Sequence, residues 1–156
     1  MKLRFLWIGE TKDSSLKQME RKYLKRLGRH FPTERSFVSE LRKSDPRQAS
    51  AQMEKEAALL EKKLNRRAFL VVLDERGQSM SSLELAAFLE DRLGRGEPEL
   101  TFLAGGFGGT PRRLIERADK LLALSRMTLP HELARVVLLE QVYRAATISK
   151  GLPYHK

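Results

Sequence analysis

Between Pro130 and about Ser149 the chain carries a helix-forming stretch that is apolar on nearly every side. At about 100° per residue, Leu133, Val136, Val137, Leu138, Leu139, Val142, Tyr143, Ala146 and Ile148 spread around most of the wheel. Only Glu140, Arg144 and Thr147, with Gln141 beside them, make a narrow polar stripe. A helix of this kind must be covered on most of its circumference. A chain of 156 residues forms one domain with a sizeable core, whose sheet can cover one face of the helix. The other face is expected to meet a second copy of the chain, giving a homodimer. The alternative is a central helix wrapped wholly by its own chain.

The rest of the chain alternates strand and helix. Met1 to Gly9 reads as a strand, and Ser14 to Leu27 as a helix that opens on serines and stops at Gly28. Thr33 to Leu41 is a weaker second strand, and Pro46 to Leu64 a helix with proline near its start. Ala68 to Leu73 (AFLVVL) is a continuous apolar run, as in a strand buried on both faces. Asp74 to Gly77 is expected to turn the chain before a helix capped by Ser81/Ser82 and running through Leu93. Glu99 to Ala104 is a strand leading into Gly105-Gly106, Pro111 to Lys120 a short helix and Leu121 to Leu124 a short strand. The pattern predicts an α/β class with a mostly parallel sheet flanked by helices, in one domain without repeats or linkers.

Charge divides the chain. Residues 1–67 hold 18 Lys/Arg against 9 Asp/Glu, whereas residues 68–156 hold 12 against 11. The first half therefore attracts a polyphosphate, either as a nucleic-acid face or simply as a solvated basic surface. With no cysteine there are no disulfides or thiolate metal sites. The three histidines (His30, His131, His155) form no metal-ligand spacing, so no metal is expected. The opening LRFLWIG is too short for a membrane span and lacks a cleavage pattern, and a cytoplasmic location is expected.

Three constellations carry chemistry. LAGGFGG at Leu103 to Gly109 follows a strand and lets backbone approach a ligand; its spacing fits neither a Walker loop nor a dinucleotide fingerprint. Ligands in open α/β sheets bind beyond the carboxyl ends of strands. Three such ends, Leu73-Asp74, Gly105-Gly106 and Leu124-Ser125, converge on one cleft if their strands are neighbours. LSRMTLPH offers irregular backbone and apolar side chains suited to a flat heterocycle such as adenine, or is an ordinary loop before a helix. The closing Tyr154-His155-Lys156 pairs a stacking ring with a proton carrier, or is a frayed tail. Arg144 clamps a phosphate or base, or pairs with Glu140 one helical turn away. No nucleophile elbow or Ser/His/Asp pattern is present.

Several segments together carry a family resemblance: KLRFLWIG, Tyr23 to Leu27, VVLDERGQSMSSLELA, FLAGG, ALSRMTLPHELARVVLLEQVYRA and the closing PYHK. Over essentially its whole length the chain resembles the bacterial ribosomal large-subunit (23S rRNA) pseudouridine N3-methyltransferases. These are small members of the SPOUT superfamily of S-adenosylmethionine-dependent RNA methyltransferases. The resemblance implies an α/β fold whose carboxyl half, residues 68–156, is tied into a trefoil knot. It implies an obligate homodimer that holds ribosomal RNA with both protomers and binds S-adenosylmethionine in the knot. Leu73, Gly105 and the run Leu124, Ser125, Arg126, Met127, Thr128 and Leu129 would hold that cofactor, while Arg144, Tyr154 and His155 would serve the target nucleotide. Relatives often carry a polar or acidic residue before the last glycine of the loop; here the residues are Phe107-Gly108-Gly109, so backbone contacts are expected from it. Two rival expectations are a non-catalytic RNA-binding or ribosome-assembly factor and a SPOUT methyltransferase acting on another RNA such as tRNA.

Overall fold

Side chains that alternate between two buried faces on three adjacent strands set the layers of the molecule, a computed structural model that describes residues 1–40 and 49–154. The elements in chain order are β1 (Lys2–Ile8), α1 (Ser14–Leu27), β2 (Thr33–Val38), α2 (Ala49–Lys63), β3 (Phe69–Ser79), α3 (Ser82–Gly94), β4 (Glu99–Ala104), α4 (Arg112–Arg117), β5 (Lys120–Ala123) and α5 (His131–Ser149). The five strands are parallel, in the order β2-β1-β4-β3-β5. Leu3, Phe5 and Trp7 of β1, Val71 of β3, and Leu100, Phe102 and Ala104 of β4 point into a core shared with α1, α3 and α5. Leu6, Ile8, Leu70, Val72 and Leu103 point the other way, onto Ala57, Leu60 and Leu64 of α2 and Leu114 of α4. A sheet covered on both faces needs strands apolar on both, which is why AFLVVL and β4 carry no alternation.

Local chemistry explains most boundaries. Asp13 accepts the Leu16 N–H at 2.9 Å and opens α1. Ser81 and Glu84 form a reciprocal capping box at α3, which holds the Glu84 carboxyl below its usual range. Two boundaries, and the cover on the last helix, differ from expectation. The Asp74–Gly77 segment does not end the third strand: Leu73 and Gln78 both pair with Leu122, so residues 74–77 arch out as a bulge and the strand resumes. Glycine is required at 77, because a Cβ there would lie 2.6 Å from the backbone of Leu121 and Leu122. The helix expected to reach Lys120 stops at Arg117, because Asp119 exchanges backbone and side-chain hydrogen bonds with Leu70 at 2.9 and 2.7 Å and feeds Lys120 into β5. Leu41 and Pro46 lie outside the described residues.

The third difference concerns α5. None of its 19 residues is exposed, because α1 and α3 pack along its flanks while the sheet lies beneath. The helix's own chain thus supplies more of its cover than the wheel suggested. Among the half-exposed residues of the helix, Leu133, Val137, Gln141, Arg144 and Ile148 follow one line. Thr147, placed on the polar stripe by the wheel, is buried and satisfied by donating to the Arg144 carbonyl at 2.7 Å.

Candidate functional site

The carboxyl ends of β3, β4 and β5 are neighbours, and the loops leaving them enclose a cavity of about 430 Å³. Leu73, Gly105, Leu124, Ser125, Met127, Thr128 and Leu129 line it; Arg126 is exposed and is not among the lining residues. Glycine at 105 has a steric cause, since a Cβ would lie 2.5 Å from the Gly109 carbonyl carbon. The turn closes with the Gly109 N–H donating to Gly106 at 3.0 Å, and Gly109 takes a φ of +81° that favours glycine. In the loop after β5, Ser125 Oγ accepts the Met127 N–H at 2.9 Å.

Residues outside the sequence-predicted set also line the cavity. Asp74, Glu75 and Arg76 come from the β3 bulge, and His131 and Ala134 from the first turn of α5. Their signal was position, beside a strand end for Asp74 to Arg76 and in LSRMTLPH for His131. Arg76 binds Asp74 through two guanidinium bonds of 2.8 and 2.9 Å, which holds the Asp74 carboxyl below its usual range. Burial, reinforced by the Arg135 charge, pushes the His131 imidazole down and keeps it neutral near pH 7. Arg135 itself is fully buried, donating to Thr11 at 3.0 Å and to the Ile8 carbonyl. Glu132 accepts the Lys12 and Asp13 N–H groups at 2.9 and 3.1 Å. These contacts fasten the start of α5 to the loop after β1.

The other end of α5 holds a different cluster. Gly151, at φ +63°, reverses the chain as the Leu152 N–H returns to Thr147 O and the Gly151 N–H to Ile148 O, both at 2.9 Å. This Schellman turn lays Tyr154 back on the helix, so the tail is docked to that point rather than frayed. The Tyr154 ring meets Tyr143 edge-on at 4.7 Å and lies 5.0 Å from the Arg144 guanidinium. Its hydroxyl donates to Glu140 at 3.2 Å and faces that of Tyr23 at 3.4 Å. Burial and these neighbours push the phenol's pKa well above its ordinary value. Arg144 makes the expected bond to Glu140 at 2.6 Å. Arg26 of α1 sits 5.5–5.9 Å from the rings of Tyr23, Tyr143 and Tyr154. Tyr23 and Arg26, both on α1, thus join Tyr154 through the packing of α1 on α5. His155 and Lys156 lie outside the described residues. From Ala134 at the cavity to Arg144 is ten residues of helix, about 15 Å.

A family described as "Predicted SPOUT methyltransferase" matches residues 1–155. The chain belongs to the SPOUT methyltransferase family. Full-length relatives agree: a Geobacter metallireducens protein named ribosomal RNA large subunit methyltransferase H is 43% identical over 99% of both chains. A Koribacter versatilis protein of the same name is 42% identical over 99% of this chain and 98% of its own. Among solved structures, that of a probable methylase family protein from Haemophilus influenzae superposes with a TM-score of 0.58 over 99% of this chain and 70% of that one. At 14% identity this likeness shows a shared fold, the five-stranded parallel α/β sheet. Among the described residues of this SPOUT protein, no helix is long and apolar enough to cross a membrane. Nor does any group of three or more His, Asp or Glu among them have a metal-binding arrangement.

Proposed function

We propose that this protein transfers a methyl group from S-adenosylmethionine to N3 of a pseudouridine in large-subunit (23S) ribosomal RNA, in the bacterial cytoplasm. What carries the reading is that relatives matching from end to end are named large-subunit rRNA methyltransferases, while this chain has a cavity where an α/β sheet binds ligands. The cavity suits the cofactor. Its size lies within the roughly 300–1,000 Å³ of cofactor sites. Leu73, Leu122, Leu124 and Leu129 give apolar walls for adenine, and the carboxylates of Asp74 and Glu75 suit ribose hydroxyls and a positive sulfur centre. The reading takes residues 1–156 as one domain with a trefoil-knotted carboxyl half, an exception to the rule against threaded loops.

When bound, S-adenosylmethionine supplies a methyl group already activated on a cationic sulfonium. The chain's residues then have to align the base and remove its imide proton. Alignment in a near-attack geometry contributes about 7–11 kcal/mol in the best cases, and a positioned base about 10²–10⁴-fold. Leu73, Gly105 and the Leu124 to Leu129 run hold the cofactor, with Arg126 at the rim. Tyr154 stacks on or hydrogen-bonds the target base, and His155 accepts the proton or orients the base. Arg144 stabilises the resulting anion: the neighbouring Glu140 keeps its guanidinium charged and occupies only part of its donor fork.

In one protomer Arg144 stands about 15 Å along α5 from Ala134 at the cavity, too far to act on a ligand there. The reading therefore includes a homodimer in which the tail cluster of one copy faces the cavity of the other. The half-exposed Leu133 and Val137 of α5 supply apolar surface for that contact. The exposed Arg21, Lys22, Lys25 and Arg29 beside the tail cluster supply phosphate contacts for the RNA.

Transfer of tritiated methyl to naked rRNA, large subunits, whole ribosomes and tRNA tests the function. Label on large-subunit RNA that needs a pseudouridine is the expected result. Label only on tRNA, or RNA binding without transfer, contradicts it in favour of another target or a non-catalytic factor.

A further inference from the structure

Glu40 has no part in the site as described so far, yet it packs against Gly106, which lines the cavity. It lies two residues beyond β2, on the opposite side of β1 from β4. Its side chain crosses the end of β1, a span of roughly 10 Å between outer strands. Its Oε1 accepts the Phe107 N–H at 2.8 Å. The path is kept open by two glycines. A Cβ on Gly9, at φ +78°, would lie 3.3 Å from Glu40 Cβ, and a Cβ on Gly106 would overlap Glu40 Oε1. The paired glycines thus have separate causes: Gly105 is crowded by Gly109, Gly106 by Glu40. The Phe107 ring is 84% exposed, so its backbone, not its side chain, fastens the turn. A backbone N–H held by a carboxylate is among the stronger single hydrogen bonds. His131 and Arg135, from the start of α5, also lie within the carboxylate's electrostatic reach.

We propose that Glu40 is a positioning residue of the cofactor cavity, fixing the Gly105–Gly109 turn through the Phe107 N–H. The proposal rests on the reading of that cavity as the S-adenosylmethionine site. It also ties the basic first half of the chain to the cofactor-binding second half through one carboxylate.

The test uses the full chain as wild type, Glu40→Ala and Glu40→Gln. Amide exchange at Phe107, S-adenosylmethionine affinity by calorimetry and melting temperature are all measured. In Glu40→Ala the Phe107 amide should exchange about tenfold faster or more, and the affinity should fall about tenfold. Glu40→Gln keeps an acceptor oxygen and should stay within about threefold of wild type in both readouts. Should Glu40→Ala fail to fold, Gly106→Ala displaces the carboxylate instead and should speed Phe107 exchange likewise. Unchanged Phe107 exchange in the folded variant overturns the proposal. So does a loosened turn with unchanged affinity, or a Gln variant as damaged as Ala. A wild type that binds no S-adenosylmethionine contradicts the function proposed above, while Phe107 exchange still reports whether Glu40 holds the turn.

Discussion

The two ends of α5 are built on opposite plans. At its start, the cavity takes its shape from close-packed backbone, with glycines at 105 and 109, a bulge over Gly77 and an irregular loop from Leu124 to Pro130, and is walled by leucine side chains. At its finish, the cluster is made of side chains, with Tyr23, Arg26, Glu140, Tyr143, Arg144 and Tyr154 in mutual contact. A backbone-built site holds its ligand by shape and is broken by adding atoms. A side-chain cluster works by charge and stacking and is broken by removing them.

Adding atoms at the first end should give the largest effect. Thr128 is exposed and lines the cavity, so Thr128→Trp can fill that space without disturbing the core. S-adenosylmethionine affinity should fall about 100-fold or more, a loss of about 2.7 kcal/mol, with melting temperature nearly unchanged. Calorimetry showing wild-type affinity would mean that the cavity is not the cofactor site.

Removing atoms at the second end should act differently. Arg144→Ala should lower methyl transfer about 100-fold while cofactor affinity stays within about twofold, a split that kinetics and calorimetry together resolve. Equal losses in both would erase the contrast between the two ends. A smaller effect concerns proton state. The phenol of Tyr154 is raised above the ordinary tyrosine value of 10.0, chiefly by burial, then by Tyr23 and Glu140. Its protonated form therefore persists as pH rises through 10, and ultraviolet difference titration should show Tyr154 still protonated there. A phenolate signal from Tyr154 at or below pH 10, assigned by Tyr154→Phe, would break the docked-tail picture.

The cavity end was largely legible in the sequence, for a physical reason. Strands such as AFLVVL and ELTFLA announce themselves by apolar continuity, and ligands gather at the carboxyl ends of neighbouring parallel strands. The β3 bulge was less legible, because whether the chain rejoins its sheet after Asp74–Gly77 depends on β5, nearly fifty residues later. The cover on α5 was only partly legible, because a helical wheel shows what needs burying and not which helices do it. At the far end, Arg144, Tyr154 and the Glu140 pair could be named singly. Their gathering with Tyr23 and Arg26 depends on α1 packing against α5 and on a left-handed glycine at 151, both tertiary facts.

Whether the two plans meet in one active site across a twofold axis is open to direct measurement. Thr128→Trp carries an intact tail, and Arg144→Ala an intact cavity. In a heterodimer of the two, one site pairs both intact parts and the other pairs both damaged ones. Mixed in equal amounts under exchange, the variants should recover about one quarter of wild-type methyl transfer per protomer, although each is nearly inactive alone. A mixture no more active than its components would place cavity and cluster in the same protomer and contradict the account.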